Sequence, residues 1–125
     1  MSIRVLLVDD EMELGAYTAK RLGARGMQVR IAQSGRSALE FMAEHSFDVI
    51  VLDLLMPGMS GLEVLREMKK TGTKAQVILL SGHMSGEAAT EGEALGAVEY
   101  ISKPCQFSTL VKAIENADKL TSEQP

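Results

Sequence analysis

Five short strand-like runs alternate with five helical patterns along this chain, and that alternation leaves few folds open. Strand character falls near residues 3–9, 27–32, 48–53, 75–81 and 98–102, and helical patterns near 12–24, 35–45, 61–71, 85–95 and 106–119. Strands separated by helices cannot be joined as tight hairpins. They pair in parallel, through right-handed crossovers that place helices on both faces of one sheet.

The runs differ in kind. Val5-Leu6-Leu7-Val8, Val49-Ile50-Val51-Leu52 and Val77-Ile78-Leu79-Leu80 are continuously apolar, as strands covered on both faces must be. The second run alternates Met27, Val29 and Ile31 with Gln28 and Arg30, and the fifth sets Glu99 between Val98 and Tyr100. Alternation suits partly solvated edges. Edges two and five around an interior of one, three and four give the strand order 2-1-3-4-5, a flavodoxin-like doubly wound α/β sheet.

The helical segments carry matching apolar faces. Phe107, Leu110, Val111, Ile114 and Ala117 share one face of the fifth, and Leu62, Leu65 and Met68 one face of the third. Ser60 and Glu63 are placed to form a capping box at the start of the third. Ala38, Leu39 and Met42 share an apolar face of the second. The methionines read as core filler. The fourth segment is poor by comparison: Gly86, Gly92 and Gly96 with one large aliphatic, Leu95. An interior helical glycine costs about 1 kcal/mol relative to alanine, so this element should be the least stable and the cheapest to move.

A chain of 125 residues, 46% hydrophobic, fits a single domain over residues 1–120, with 121–125 expected as a frayed tail or the start of a linker. The net charge of −4 includes no basic stripe, which argues against nucleic acid and anionic membranes as partners of this domain. No apolar stretch approaches the roughly 20 residues that span a bilayer, and the run Val5–Val8 is too short for a secretory core. One cysteine, Cys105, is read as a small buried or half-buried thiol and suits a reducing compartment. The expected location is the cytoplasm.

Four of the five runs end on a residue with chemistry. The first runs into Asp9-Asp10, the third into Asp53, the fourth into Ser81, and the fifth into Ser102-Lys103-Pro104. In a parallel sheet these ends open on the one edge where such sheets bind ligands. Three carboxylates brought together repel until a cation arrives, and all-oxygen ligation of this kind suits Mg²⁺. His45 and His83 lack the spacing of zinc ligands. An aspartate beside Mg²⁺ can act as a nucleophile toward phosphorus. The charge on a transferring phosphoryl group would then be covered by the metal, the Lys103 ammonium and the Ser81 hydroxyl. Pro104 holds Lys103 extended, and a cis Lys103–Pro104 bond is one way to turn the ammonium inward. The turn Met56-Pro57-Gly58-Met59-Ser60-Gly61 would wall the pocket beside Asp53.

With these residues in place, the chain resembles the response regulator receiver domains of two-component signalling, from about Ile3 to Leu120. The resemblance matches the family's acidic pair to Asp9 and Asp10, with Asp10 a direct metal ligand. It matches the phosphoacceptor to Asp53 within Leu52-Asp53-Leu54-Leu55-Met56-Pro57-Gly58-Met59-Ser60-Gly61. It matches the Ser/Thr to Ser81, the lysine to Lys103, the switch aromatic to Tyr100, and a further metal ligand to the backbone carbonyl of Leu55. It implies a phosphoprotein that binds Mg²⁺ and accepts a phosphoryl group from a phosphohistidine on a sensor histidine kinase or phosphotransfer protein. Such a domain assists its own phosphorylation and dephosphorylation but is no enzyme toward an external substrate. Its output would pass through helix four, strand five and helix five to a downstream domain or protein. The resemblance sets position 55 over the approach of a hydrolytic water, which leucine cannot orient; with His83 as added cover, a long-lived phosphoryl state is expected, the alternatives being that the His83 imidazole holds a water or that Leu55 packs on a partner.

Three rival readings are weaker. An aspartate-nucleophile phosphatase needs a general acid two residues past the nucleophile, where Leu55 stands. A flavin carrier needs a Ser/Thr/Gly-rich loop after the first strand, where Asp9-Asp10-Glu11 stands. A receiver-like interaction module independent of phosphorylation would not require Asp53, Ser81 and Lys103 together.

Overall fold

A computed structural model describes residues 2–54, 56, 58–82 and 86–123. The elements run β1 (Arg4–Val8), α1 (Met12–Ala24), β2 (Gln28–Ala32), α2 (Gly35–Glu44), β3 (Val49–Asp53), α3 (Gly61–Lys70), β4 (Gln76–Ser81), α4 (Gly86–Ala94), β5 (Glu99–Ser102) and α5 (Phe107–Glu123). All strand pairs are parallel, in the order β2-β1-β3-β4-β5. The fold is the doubly wound α/β sheet that the alternation of runs requires.

Burial follows the strand patterns. Every residue of β3 and β4 is buried, whereas β2 and β5 alternate, as edges should. Side chains of one strand point to opposite faces in turn, so β1 feeds two cores. Val5 and Leu7 pack with Leu110, Val111 and Ile114 beneath α5 and with Leu22 of α1. Leu6 and Val8 pack with Ala38 of α2 and with Val64, Leu65 and Met68 of α3. Burying one large aliphatic side chain is worth about 1.5–3 kcal/mol, and the two layers together hold the sheet between four of its helices.

The capping box expected at α3 is present: the Glu63 amide donates to Ser60 Oγ at 3.3 Å, and the Ser60 amide to Glu63 Oε1 at 3.5 Å. A second box, Ser34 with Ser37, starts α2. Two features depart from expectation. Met12 is 61% exposed, so the methionines are not uniformly core filler, although Met27, Met56 and Met68 are buried. Helix α5 also continues to Glu123, through residues expected in a tail. The Thr121 hydroxyl explains the extension: it donates to the Asp48 carbonyl at 3.0 Å and ties the last turn to the entrance of β3.

That entrance is an ion-paired corner at the edge of the sheet opposite the candidate site. Asp48 Oδ2 accepts from the Arg4 amide at 2.8 Å and Asp48 Oδ1 from Arg4 Nη2 at 3.0 Å. Burial alone would raise the Asp48 carboxyl; the hydrogen bonds and charge of Arg4 outweigh it and hold the carboxyl below its ordinary range. A carboxyl depressed in the folded state adds stability above its unfolded pKa and loses it as pH falls through the folded value. Because Arg4 is half exposed, Arg4→Met should cost only about 0.5–1 kcal/mol at neutral pH. The deficit should vanish in acid. Urea unfolding at pH 7 and below pH 3 tests this, and a deficit equal at both would contradict it.

Candidate functional site

The carboxyl ends of four strands meet at one edge. Register sets Val8 beside Leu52, Asp53 beside Leu80, and Ser81 beside Ser102. Asp9 follows β1, and its amide donates to the Ala32 carbonyl at 3.0 Å. Its side chain is 5% exposed and accepts from the Glu11 amide at 2.9 Å, at the start of α1. Asp53 closes β3 and is 6% exposed. Ser81 closes β4 and is fully buried; its carbonyl accepts from the Lys103 amide at 2.8 Å. The Lys103–Pro104 bond is cis.

These placements bring charge together. Lys103 Nζ lies 3.0 Å from Asp53 Oδ2. One carboxylate oxygen from each of Asp9, Asp10 and Asp53 lies within 4.8 Å of the others. Burial is the main force raising the Asp9 pKa, with the charges of Asp53 and Glu11 adding to it against the Glu11 amide and Lys103. For Lys103, burial would lower the pKa, but the hydrogen bond and charge of Asp53, with Asp9 and Glu11, reverse the sign and raise it. Three carboxylates against one ammonium leave an excess of negative charge in a half-buried cleft.

The donor set fits Mg²⁺. Oxygens on an octahedral Mg²⁺ at about 2.0–2.1 Å stand about 3–4 Å apart, and one carboxylate oxygen from each of the three aspartates lies within 4.8 Å of the others. Asp9, Asp10 and Asp53 would hold the ion.

Tyr100 is half-buried on β5, paired in register with Leu79 and beside Ala89 and Glu93 of α4. Leu55 and His83 lie outside the described residues, so the metal-ligating carbonyl and the water-shielding roles expected of them are not placed. Cys105 is half-buried and free, as expected. It lines a cleft that runs from Asp9 and Lys103 between α1 and α5, past Leu14, Tyr17 and Phe107. The Arg21 guanidinium stacks 3.9 Å above the Phe107 ring in this cleft.

Gly61 packs against the backbone of Asp53, a contact that composition suggests only as part of a turn. A Cβ there would lie 2.6 Å from both the Asp53 carbonyl oxygen and Leu54 Cα. The amide of Gly61 donates to the Leu54 carbonyl at 3.1 Å. The first turn of α3 is thus seated on the backbone that carries Asp53. A glycine in a turn-rich stretch is the sole trace of this in the sequence.

Comparison with known proteins agrees with the geometry. The profile of the response regulator receiver domain matches residues 5–115. The uncharacterized transcriptional regulatory protein YkoG of Bacillus subtilis (strain 168) is 34% identical over 113 residues, which are 90% of this chain and 50% of that protein. The chain spans about half, or about a quarter, of the length of the curated relatives it matches. Among solved structures, a CheY-like response regulator receiver domain protein from Methanospirillum hungatei JF-1 superposes with a TM-score of 0.95 at 26% identity, covering 100% of both chains. A Burkholderia pseudomallei response regulator, solved with a phosphorylated aspartic acid and a calcium ion, superposes with a TM-score of 0.85 at 27% identity, over 98% of this chain and 72% of that one.

Proposed function

The chain belongs to the response regulator receiver domain family of two-component systems, and from that premise we propose that it accepts a phosphoryl group on Asp53. The observation that carries the reading is the joint placement of three carboxylates within 4.8 Å and an ammonium 3.0 Å from Asp53. The donor would be a phosphohistidine of a sensor histidine kinase or phosphotransfer protein, entering beside the α1–α5 cleft. An Asp53 carboxylate oxygen attacks phosphorus, the phosphorus–nitrogen bond breaks, and the imidazole leaves with the electron pair and takes a proton from solvent. Mg²⁺ bound by Asp9, Asp10 and Asp53 would neutralise charge on the phosphoryl oxygens. Lys103 covers another oxygen and Ser81 a third.

The domain turns over no external substrate in this reading. Ser81 would follow the new oxygens and Tyr100 would move with it. The altered surface of α4, β5 and α5 would then meet a downstream domain or protein. Among the described residues no helix is long and apolar enough to cross a membrane, and a cytoplasmic setting follows from the proposed role. The phosphorylated aspartic acid of the Burkholderia relative supports the assignment by likeness.

Incubation with acetyl phosphate and Mg²⁺, followed by intact mass and peptide mapping, tests it. The expected result is one phosphoryl group on Asp53, and no uptake when a chelator is present from the start. Uptake at another residue, or uptake indifferent to chelation, would overturn the site. No uptake at all would favour an interaction module independent of phosphorylation.

A further inference from the structure

Helix α4 is held in place by its neighbour more than by its own sequence, and we infer that this hold is a latch opposing the switch. The inference rests on the phosphoacceptor reading above. Residues 86–94 read Gly-Glu-Ala-Ala-Thr-Glu-Gly-Glu-Ala, with three glutamates and no cation. Glu91 and Glu93 stand near the carboxyl end, where the helix dipole is negative and acids are unfavourable. Gly92 weakens the helix interior further.

Helix α3 supplies what α4 lacks. Arg66 Nη2 donates to Glu91 Oε1 across the two helices. A second cation is close by: a Cβ built at Gly96 would lie 2.6 Å from Lys69 Nζ. Gly96, at φ 96°, closes the last turn of α4, with its amide bonded to the Glu93 carbonyl at 2.9 Å. Lys69 therefore sits against the turn where the carbonyl ends of α4 collect.

The other side of α4 rests directly on β4. Gly92 touches the Leu79 side chain so closely that any Cβ there would overlap it, and Leu62 of α3 lies beside the same spot. Leu79 is two residues before Ser81 on β4 and projects to the same face of the sheet. It is also the register partner of Tyr100. Movement at Ser81 or Tyr100 must work against a helix seated on Leu79 and clamped from α3. The glycine that costs helix stability is what permits the seat.

The Arg66 and Glu91 side chains are 47% and 43% exposed, so the pair is solvent-screened. A pair of this kind biases a two-state equilibrium by about 1.4- to 5-fold. If the switched state breaks the pair, its removal raises the population competent for the phosphoryl group, and apparent affinity tightens by the same factor.

The test is titration with beryllofluoride and Mg²⁺, a stand-in for the phosphoryl group, on wild type, Arg66→Glu, Glu91→Arg and the double swap. The single variants should bind about 1.4- to 5-fold more tightly, and the swap should return to wild type. Hydrogen exchange of α4 amides should be faster in both singles and restored in the swap. High salt should narrow the gap between wild type and the singles. Gly92→Ala should also tighten binding, and salt should leave its effect in place. Equal affinity in all four proteins, weaker binding by the singles, or a swap that restores nothing would overturn the latch. If wild type binds no beryllofluoride, the phosphoacceptor reading falls instead. Exchange in α4 then decides the latch alone, with equal rates in the four proteins counting against it.

Discussion

Asp53→Asn should abolish phosphoryl uptake from acetyl phosphate, and Lys103→Met should slow it by about 10²- to 10³-fold. The asparagine keeps the shape of the site but cannot act as an anionic nucleophile. The methionine keeps the apolar stem of Lys103 and removes the ammonium 3.0 Å from Asp53. A prepositioned charge in a water-poor site costs no reorganisation at the moment of transfer, which is why one such group carries so much of the rate. Stability gives a second readout. In metal-free protein the lysine is the cation that opposes Asp9 and Asp53, and its pKa is raised by them although burial works the other way. A lysine with a raised folded pKa contributes fully below its unfolded value and loses the contribution only as pH rises through the folded one. Lys103→Met should therefore be less stable at neutral pH. Asp9, whose pKa burial already raises, takes up a proton more readily folded than unfolded, so the deficit should shrink as pH falls through its range. Time courses of intact mass and metal-free melts measure both effects. Uptake by Lys103→Met at the wild-type rate would remove the lysine from the chemistry.

Much of this arrangement was legible in the sequence because parallel α/β folds write it there. Continuous apolar runs for β1, β3 and β4 and alternating ones for β2 and β5 determine the sheet order. Once the order is known, Asp9, Asp53, Ser81 and Lys103 fall on one edge by register. What stayed illegible depends on distances across the fold. Gly92 reads as a flaw in a weak helix until Leu79 is found against it. Arg66 and Glu91, 25 residues apart, carry no local signal of pairing. The end of α5 is not legible because Thr121 looks like tail composition, and its partner, the Asp48 carbonyl, is 73 residues away. Met12 looks like core filler because periodicity does not say which helical face is left bare, and it is exposed.

Gly61→Ala should be the most damaging glycine-to-alanine change among the described glycines, costing about 3 kcal/mol of stability. Its Cβ would meet the Asp53 carbonyl oxygen and Leu54 Cα at 2.6 Å each, and Leu54 Cδ2 at 2.8 Å. Two of these are backbone atoms of a buried strand end, which cannot rotate away as a side-chain tip can. Relief requires α3 to back off from β3, opening the layer that Val64, Leu65 and Met68 fill. Retreat of α3 would also release the Leu54–Gly61 hydrogen bond and misplace Asp53 relative to Lys103, so phosphoryl uptake should fall along with the melting midpoint. Gly23→Ala provides the contrast. That glycine lies within α1 with nothing near its missing Cβ, and the change should stabilise by about 0.5–1 kcal/mol through helix propensity alone. Gly58 has equal space but a φ of 78°, so alanine there should cost about 1–2 kcal/mol by strain without crowding. The order Gly23, Gly58, Gly61 from gain to deepest loss follows only if backbone contact at α3 sets the position of Asp53. A Gly61→Ala protein that melts with wild type would mean that α3 can slide freely past the strand that carries Asp53.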